Sequence, residues 1–362
     1  QGVSSAASDV YKRQIEFFGD HDDELIDRCD GVTRALKGLG LGYAFPQMAP
    51  PDVNRIWELR KAGLGVLMGT PGDVKPQTLI EDTAVAVEDL PAYIEEFARL
   101  MAHHQVDCVY YAHASVGELH LRPELDFKNP ADVARASAIA GDVADLVRKY
   151  RGSLSGEHGD GRVRGPYIER AMGAEPLRWF SEVKQAFDPA GLLNPNNIVN
   201  TNPMEQDWRY HPTYRTVEPE TVFAYAESGG FQRAIERCNG AGVCRKTSAM
   251  GGTMCPSYMV THEEHDTTRG RANLFRLLLQ QGTDALYGSD ELARALELCV
   301  GCKACRSECP ASVDMARLKT EYWQGRHDRS GAGLTARAFA EVTELSRPLQ
   351  ALPGGAALMN LG

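Results

Sequence analysis

Residues 299–310 have the sequence CVGCKACRSECP, which contains Cys299, Cys302, Cys305 and Cys309. Three thiolates separated by two residues each can converge on one cubane iron–sulfur cluster, and a fourth thiolate before a proline typically reaches a second cluster. A zinc ribbon would instead use two separate Cys-x-x-Cys pairs. The stretch therefore predicts an iron–sulfur protein that carries electrons.

The remaining cluster ligands must lie elsewhere in the chain, and an upstream stretch supplies candidates. We predict that one four-thiolate set is complete: Cys255, Cys299, Cys302 and Cys305. A second set has only three thiols: Cys238, Cys244 and Cys309. Ala241 stands where a regular ferredoxin motif would place a further thiol. The second set could therefore hold a three-iron cluster, use a ligand other than cysteine, or hold no cluster.

The composition is that of a globular protein. Its 362 residues are long enough for two or three cores, with 43% hydrophobic and 24% charged residues. A net charge of -10 argues against a nucleic-acid partner, because such surfaces need clustered Lys and Arg. Outside the cluster-like spacings only Cys29 and Cys108 remain, so we expect no disulfide framework and a reducing, cytoplasmic compartment. We expect no transmembrane segment and no signal peptide, which leaves peripheral contact with the inner membrane face open.

The pattern of segments predicts five regions. Residues 15–202 mix strand-like and helical segments without a strict βαβ rhythm, which favours an α+β domain. Residues 203–232 are proline-containing and lack a period, so we predict a linker there. Residues 233–325 are helical around the cysteines, and 326–362 read as a truncated linker or the start of a further domain. Residues 1–14 differ in character from the rest of the chain and suggest a non-native leader, so we expect the chain to be a fragment.

Within the first domain, residues 109–122 read as a strand, a glycine-containing turn and a second strand. A straight strand would put His113 and His120 on opposite faces, but the turn can bring both imidazoles to one place. Glu157 lies in a glycine-rich stretch, 155–161, whose backbone can approach a bound group closely. Two histidines and one carboxylate suit a divalent ion that also binds substrate.

Several separated motifs occur here in a familiar order. The histidine pair, the Glu157-His158 pair and the Asp188-Pro189 to Asn194-Pro195 stretch resemble the C-terminal domain of FAD-linked oxidases of the vanillyl-alcohol-oxidase type. That family includes D-lactate and D-2-hydroxyglutarate dehydrogenases, and the cysteine-rich part resembles the iron–sulfur half of their fused bacterial forms. The resemblance implies a ferredoxin-like α/β cap domain followed by a small all-α iron–sulfur domain. It also implies that FAD is bound mostly by a domain absent from this chain.

The resemblance also implies roles for individual residues. The ligands of a divalent metal, Zn or Mn, would be His113, His120 and Glu157. His158 would be the base beside the flavin, and the cofactor-binding residues would be Glu157, His158 and Asn194. The substrate carboxylates would be held by Arg60, Lys75 and Arg122. Arg122 stands where the 2-hydroxyglutarate enzymes usually have an Asn.

These residue types suit the removal of hydride from a 2-hydroxy acid, because a metal and an imidazole together ease loss of the hydroxyl proton. The resemblance therefore implies oxidation of D-2-hydroxyglutarate or D-lactate, with electrons passing from FAD to iron–sulfur clusters and on to a downstream acceptor. One alternative is an iron–sulfur electron-transfer subunit of a multi-subunit oxidoreductase such as glycolate oxidase. Another is a metal-dependent hydrolase that uses His113, His120 and Glu157 without flavin.

Overall fold

The computed structural model describes residues 14–48, 52–206 and 208–350. The predicted leader, apart from Gln14, lies outside the described residues, as does the predicted C-terminal segment beyond Gln350. The chain divides into two compact units, Gln1–Lys61 and Ala62–Gly362. The first unit contains helix α1 (Asp22–Gly38) and the beginning of α2 (Asp52–Met68), and the boundary between the units falls within α2. No described helix is long and apolar enough to cross a membrane.

The sheet of the second unit is built around one strand. The strands are β1 (Lys75–Pro76), β2 (Thr83–Ala84), β3 (Cys108–His113) and β4 (Glu118–Leu125). All pairings are antiparallel to β4: β3 lies along one edge, while β1 and β2 pair with opposite ends of β4. Because side chains alternate along a strand, β4 presents two different faces. One carries Leu119, Leu121 and Leu125, and the other carries Glu118, His120 and Arg122.

The apolar face of β4 packs into a core with two long helices. Helix α3 (Leu90–His104) buries Tyr93, Phe97 and Met101, and α4 (Pro130–Lys149) contributes a buried stripe that includes Ile139 and Val143. Asn129 caps α4 by accepting the backbone N–H of Ala131 at 2.9 Å, as expected of an N-cap followed by proline. Helices α5 (Gly161–Arg164), α6 (Ile168–Met172) and α7 (Ala174–Phe187) follow. The predicted α+β class is confirmed, whereas the ferredoxin-like description stays a prediction.

The rest of the described chain is helical. Its helices are α8 (Phe231–Glu236), α9 (Pro256–Thr261), α10 (Thr268–Gln281), α11 (Thr283–Gly288), α12 (Asp290–Glu297), α13 (Ala304–Glu308), α14 (Met315–Ser330), α15 (Leu334–Ala340) and α16 (Val342–Gln350). A second core joins Phe231, Phe275 and Tyr322 with the buried cysteines. Arg271 is 2% exposed, pairs with Asp266 at 3.2 Å and donates to a carbonyl oxygen of α12, so its buried charge is compensated.

The segment predicted as a linker, 203–232, packs closely against its surroundings. Tyr214 and Tyr225 are 3% and 5% exposed. The buried carboxylate of Glu321 accepts the backbone N–H groups of Val222, at 2.7 Å, and Phe223, at 3.2 Å. A sequence pattern without a period cannot reveal such side-chain-to-backbone anchoring. The predicted domain boundaries themselves stay predictions.

A network of charges joins the two cores. Lys128, just after β4, donates to Asp73 at 2.9 Å and to Glu236 of α8 at 2.7 Å. Arg233 of α8 also pairs with Asp73, at 2.7 Å. The Lys128 ammonium lies 5.3 Å from the ring centre of Tyr214, and nearby the rings of Phe127 and Trp208 stack at 3.8 Å. The Lys128 and Glu236 side chains are only 17% and 8% exposed, so the network is shielded from solvent.

We expect Lys128→Met to lower the free energy of unfolding by about 1 to 3 kcal/mol, because it leaves the nearly buried Glu236 without a cation. Urea unfolding followed by tryptophan fluorescence measures this, since Trp208 lies at the junction. The matched control is Lys149→Met, which removes a more exposed pair with Glu96 and should cost less than about 1 kcal/mol. Equal losses in the two variants would contradict a special role for the Lys128 network.

Candidate functional site

The turn between β3 and β4 brings two histidines together. His113 ends β3, and a single 3-10 turn, Ala114–Val116, leads to Gly117 with a φ of 73°. A Cβ atom on Gly117 would lie 1.9 Å from the carbonyl oxygen of Val85, so only glycine fits this reversal. His113 then lies opposite Glu118 in the sheet, and the ring centres of His113 and His120 are 5.3 Å apart.

A buried carboxylate holds the loop that carries Glu157 and His158. Asp82 is fully buried and has a φ of 86°. It accepts the backbone N–H groups of Glu157 and His158, both at 2.9 Å, and the hydroxyl of Ser155. Sequence reasoning missed Asp82. Two neighbouring acidic residues, Glu81 and Asp82, stand between apolar residues there, but the sequence does not show which distant loop they meet.

Two overlapping groups of side chains could hold a cation. His113, Glu118, His120 and Glu157 offer ligand atoms that all lie within 4.8 Å of one another, and so do Asp82, His120, Glu157 and His158. Because the Asp82 oxygens already accept three hydrogen bonds, the first group is better suited to an ion. Glu118 Oε1 and His120 Nδ1 are buried without a hydrogen-bond partner in the described part of the chain. Such unsatisfied atoms are what a missing cation would leave, so the residues fit a divalent ion.

The charges of this group are shaped by burial. Burial and, to a lesser degree, the neighbouring His158 and His113 lower the pKa of His120 to about 4. His120 is therefore neutral at physiological pH, the form that binds metals. Burial and a hydrogen bond with Asp82 raise the pKa of Glu118 to about 7. Burial alone would raise the pKa of Asp82. The hydrogen bonds that Asp82 accepts have the larger effect and lower its pKa to about 2.

His158 lies at the mouth of this group and is more accessible. Its side chain is 41% exposed, and its ring stacks on that of His120, with centres 5.2 Å apart and planes 7° from parallel. Its Nδ1 faces Glu81 at 3.6 Å, and its Nε2 lies 3.4 Å from Glu157 Oε1. An exposed imidazole held this way can exchange a proton with a bound molecule.

Of the three cationic residues predicted to bind substrate, Arg122 shares a strand face with His120. It forms an ion pair with Glu81 at 2.5 Å, while its Nη1 is buried without a hydrogen-bond partner among the described residues. That nitrogen is available to a carboxylate. Nη1 of Arg122 can therefore donate a further hydrogen bond on the face of β4 that carries His120.

The other two cations belong to other elements of the fold. Lys75 pairs across the sheet with Leu125, five residues along β4 from His120, and its ammonium donates to the carbonyl oxygen of Thr70. It lines a cavity of about 300 Å³ together with Lys128 and Cys238. Arg60 lies on α2 in the unit Gln1–Lys61, where its guanidinium is 5.6 Å from the ring centre of Trp57. The substrate-binding roles of both residues stay predictions.

Asn194, predicted to approach the flavin, lies on an exposed loop. Asp188 fixes the base of this loop by accepting the backbone N–H groups of Leu192 and Leu193, both at 2.9 Å. The backbone is left-handed at Asn194, with a φ of 47°, and at Ile198, with a φ of 67°. This conformation is costly for a β-branched residue and is often found where a loop binds a ligand.

The structure brings the upstream thiols close together. Burial raises the pKa of Cys238, and the nearby Cys244 and Cys309 add to the rise. A hydrogen bond from Cys255 lowers the pKa of Cys244 to about 6. The Cys255 sulfur also accepts the backbone N–H of Thr268, at 3.1 Å, at the N-terminus of α10. N–H groups and a helix N-terminus stabilise thiolates, so this group suits an iron–sulfur cluster.

The downstream thiols form a second neighbourhood. Cys305 is buried, accepts the backbone N–H of Met315 at 3.4 Å, and has its pKa raised by burial and, to a lesser degree, by Cys299. Cys302 is exposed. The contact of Cys255 with Cys244 differs from the predicted grouping of Cys255 with the downstream thiols. Spacing alone does not determine such pairings, and the assignment of ligands to each cluster stays a prediction.

We expect Asp82→Asn to lower the free energy of unfolding by about 2 to 3 kcal/mol, because an amide offers fewer acceptors to three buried donors. Asn tolerates a positive φ, so the backbone is not the cause of the loss. Urea unfolding measures the change. Asp89→Asn is the control, since Asp89 is only partly buried and makes no capping hydrogen bond. A loss in Asp82→Asn no larger than in the control would refute the anchoring role.

Comparison with known proteins places the chain among characterised families. A family model described as FAD linked oxidases, C-terminal domain, matches residues 13–198. A second model, described as a 4Fe-4S dicluster domain, matches residues 234–313.

The chain is similar to several curated proteins. It is 30% identical to the D-2-hydroxyglutarate dehydrogenase of Escherichia coli (strain K12) over 380 residues, which cover 93% of this chain and 37% of that protein. The corresponding Pseudomonas putida protein is 30% identical over 87% of this chain and 35% of its own length. Glycolate oxidase subunit GlcD of Escherichia coli (strain K12) is 29% identical over half of this chain and 35% of its own length.

The chain therefore spans little more than a third of the length of these relatives. The first family model covers just over half of the chain, across the sheet, the histidine pair and the Glu157-His158 loop. By this match the chain belongs to the FAD linked oxidases, through their C-terminal domain, and it continues into a 4Fe-4S dicluster domain.

Proposed function

We propose that the protein belongs to a flavin-dependent dehydrogenase that oxidises a D-2-hydroxy acid to the 2-oxo acid and passes the electrons to iron–sulfur clusters. The observation that carries the proposal is the presence, in one chain, of a buried histidine and carboxylate group and of two neighbourhoods of thiols. The histidine and carboxylate group is suited to bind a hydroxy acid through a metal, and the thiols are suited to hold clusters that remove electrons.

D-2-hydroxyglutarate is the first candidate substrate, because two relatives matched over most of the chain carry that name. D-lactate is the second, and the likeness to a glycolate oxidase subunit also fits the wider class of 2-hydroxy acids. Arg122 supports an acid with a carboxylate near the histidines, since its buried Nη1 lacks a partner in the described structure. In this proposal Arg122 donates from Nη1 to a substrate carboxylate.

The divalent ion would be held by His113, His120 and Glu157, with Zn²⁺ and Mn²⁺ as the candidates. Such an ion supplies Lewis acidity that eases loss of the proton from a substrate hydroxyl. His158 accepts that proton at Nε2. With Glu157 bound to the ion, the carboxylates that remain near His158 are those of Glu81 and Asp82, which face Nδ1 at 3.6 and 4.0 Å. They favour the tautomer protonated at Nδ1 and leave Nε2 free to accept.

FAD supplies the acceptor for hydride. The residues of this chain proposed to lie against it are Glu157, His158 and Asn194. The exposed apolar side chains beside Asn194, Leu192 and Leu193 at 78% and 63% exposure, support a surface that becomes covered. We propose a small acid and a separate electron acceptor as partners, and a cytoplasmic location with at most peripheral membrane contact.

A second candidate is an iron–sulfur electron-transfer subunit within a larger oxidoreductase, and the half-chain likeness to GlcD favours an assembly of that kind. The two candidates differ in one respect. In the first the histidine group takes part in the chemistry, and in the second it only supports the fold.

We expect His120→Asn to lower kcat/KM for D-2-hydroxyglutarate by at least about 100-fold, because it removes a metal ligand. The measurement is steady-state reduction of an artificial electron acceptor by the purified holoenzyme. His103→Asn is the control, since His103 is exposed at the end of α3 and should leave turnover unchanged. Wild-type enzyme that oxidises no D-2-hydroxy acid would contradict the proposal, and unchanged turnover in His120→Asn would favour the electron-transfer subunit.

We expect Cys305→Ser to lose iron, labile sulfide and the broad visible absorbance of a cluster, because serine is a poor replacement for a thiolate ligand. Turnover with an acceptor that draws electrons from the clusters should fall with them. Cys108→Ser is the control: Cys108 is partly buried, and burial raises its pKa to about 12, but it lies on β3 far along the chain from the other thiols. Iron and sulfide contents equal to wild type in Cys305→Ser would overturn its assignment as a ligand.

A further inference from the structure

Glu118 is a carboxylate that sequence reasoning did not assign. It is the first residue of β4, lies opposite His113 in the sheet, and shares a strand face with His120 two residues later. It is 6% exposed. Its Oε1 lies 3.8 Å from His120 Nε2, too far for a hydrogen bond, and has no hydrogen-bond partner in the described part of the chain. A buried carboxylate oxygen without a donor is costly unless something else compensates its charge.

The position of the Glu118 side chain is fixed by its neighbours. Its carboxyl group lies beside that of Asp82, the anchor of the Glu157-His158 loop. A Cβ atom on Gly156 would lie 3.2 Å from Glu118 Cγ, so the loop leaves just enough room for this side chain. The unpartnered oxygen is thereby held among the ligand atoms of His113, His120 and Glu157, all within 4.8 Å.

We propose that Glu118 is a ligand of the divalent ion, in addition to His113, His120 and Glu157. The inference rests on the proposed function, which supplies the metal site, but it goes further by adding a residue and a preference for one class of ion. Two imidazoles and two carboxylates make four protein ligands.

The number of ligands decides the class of ion. Zn²⁺ is usually satisfied by four ligands, and catalytic zinc sites keep only three protein ligands so that one position stays open. An ion that prefers six ligands would still have two open positions after binding four protein groups. Two positions are what the hydroxyl and carboxylate of a 2-hydroxy acid need. Glu118 therefore favours a harder, six-coordinate ion such as Mn²⁺ over Zn²⁺.

The test measures the binding of Mn²⁺ to holoenzyme from which the divalent ion has been removed. The electron paramagnetic resonance signal of free Mn²⁺ reports how much of the added ion stays unbound. Glu118→Gln keeps the shape of the side chain and removes its charge. We expect its Mn²⁺ affinity to fall at least about tenfold. Mutation of a residue that only hydrogen bonds to a metal ligand already costs about tenfold or more in metal affinity, and loss of a ligand should cost no less. Its Zn²⁺ affinity, measured by competition, should fall less, because three ligands suffice for zinc. Retained Zn²⁺ binding also shows that the variant is folded.

Two controls separate this inference from the proposed function. Glu124→Gln removes a carboxylate from the same face of β4, outside the ligand group, and should bind Mn²⁺ like wild type. His120→Asn should lose Mn²⁺ and Zn²⁺ alike. Wild-type Mn²⁺ binding in His120→Asn would show that the proposed metal site itself is wrong. Loss in His120→Asn with wild-type Mn²⁺ binding in Glu118→Gln would overturn only the role of Glu118.

A conservative variant keeps the inference testable if Glu118→Gln does not fold. Glu118→Asp retains the charge on a shorter side chain, and a ligand role predicts Mn²⁺ affinity between those of wild type and His120→Asn. Mn²⁺ affinity equal to wild type, together with an unchanged preference over Zn²⁺, would show that Glu118 is not a ligand, because a ligand oxygen withdrawn by one methylene cannot bind equally well.

Discussion

One buried carboxylate organises the oxidase half of this chain. Asp82 is fully buried, yet it accepts hydrogen bonds from two backbone N–H groups and one hydroxyl of the loop that carries Glu157 and His158. It also meets Glu118 at the start of β4. Backbone hydrogen bonds between Ala84 of β2 and Ser153 hold the start of the same loop against the sheet. Asp82 then fixes the backbone of Glu157 and His158 beside the polar face of β4.

This arrangement concentrates unsatisfied polar groups in one place. Most of the buried side-chain atoms without hydrogen-bond partners in the described residues surround this loop and the polar face of β4, and they belong to Glu118, His120, Arg122, Asp160, Arg164 and Asn197. Folded proteins rarely leave such atoms unpaired, because each costs about 1 to 3 kcal/mol. Their concentration in one region supports the proposal that an ion and an anion bind there. The energetic cost of these unsatisfied atoms is therefore a property of a binding site.

The sequence predicted those parts of the site that depend on local structure. The glycine-containing turn between two strands revealed that His113 and His120 could meet. The family resemblance is confirmed by both family models. Glu118 could have been found, because alternation along β4 puts it on the face of His120. Asp82 could not be assigned a role, nor Lys75 a location, because both depend on which distant segments pair.

Ion pairs of Lys128 connect the two cores, and the upstream and downstream thiols lie in different surroundings. The pairs of Lys128 with Asp73 and Glu236 cross from the oxidase core to α8, and Cys238 follows α8 by two residues. Cys238 lines the cavity that also contains Lys75 and Lys128, so one thiol of the upstream neighbourhood borders the oxidase core. Cys302 of the downstream neighbourhood is exposed instead. Under the proposed function, Cys238 is the thiol that borders the oxidase core, and Cys302 is a thiol that a partner can approach from solvent.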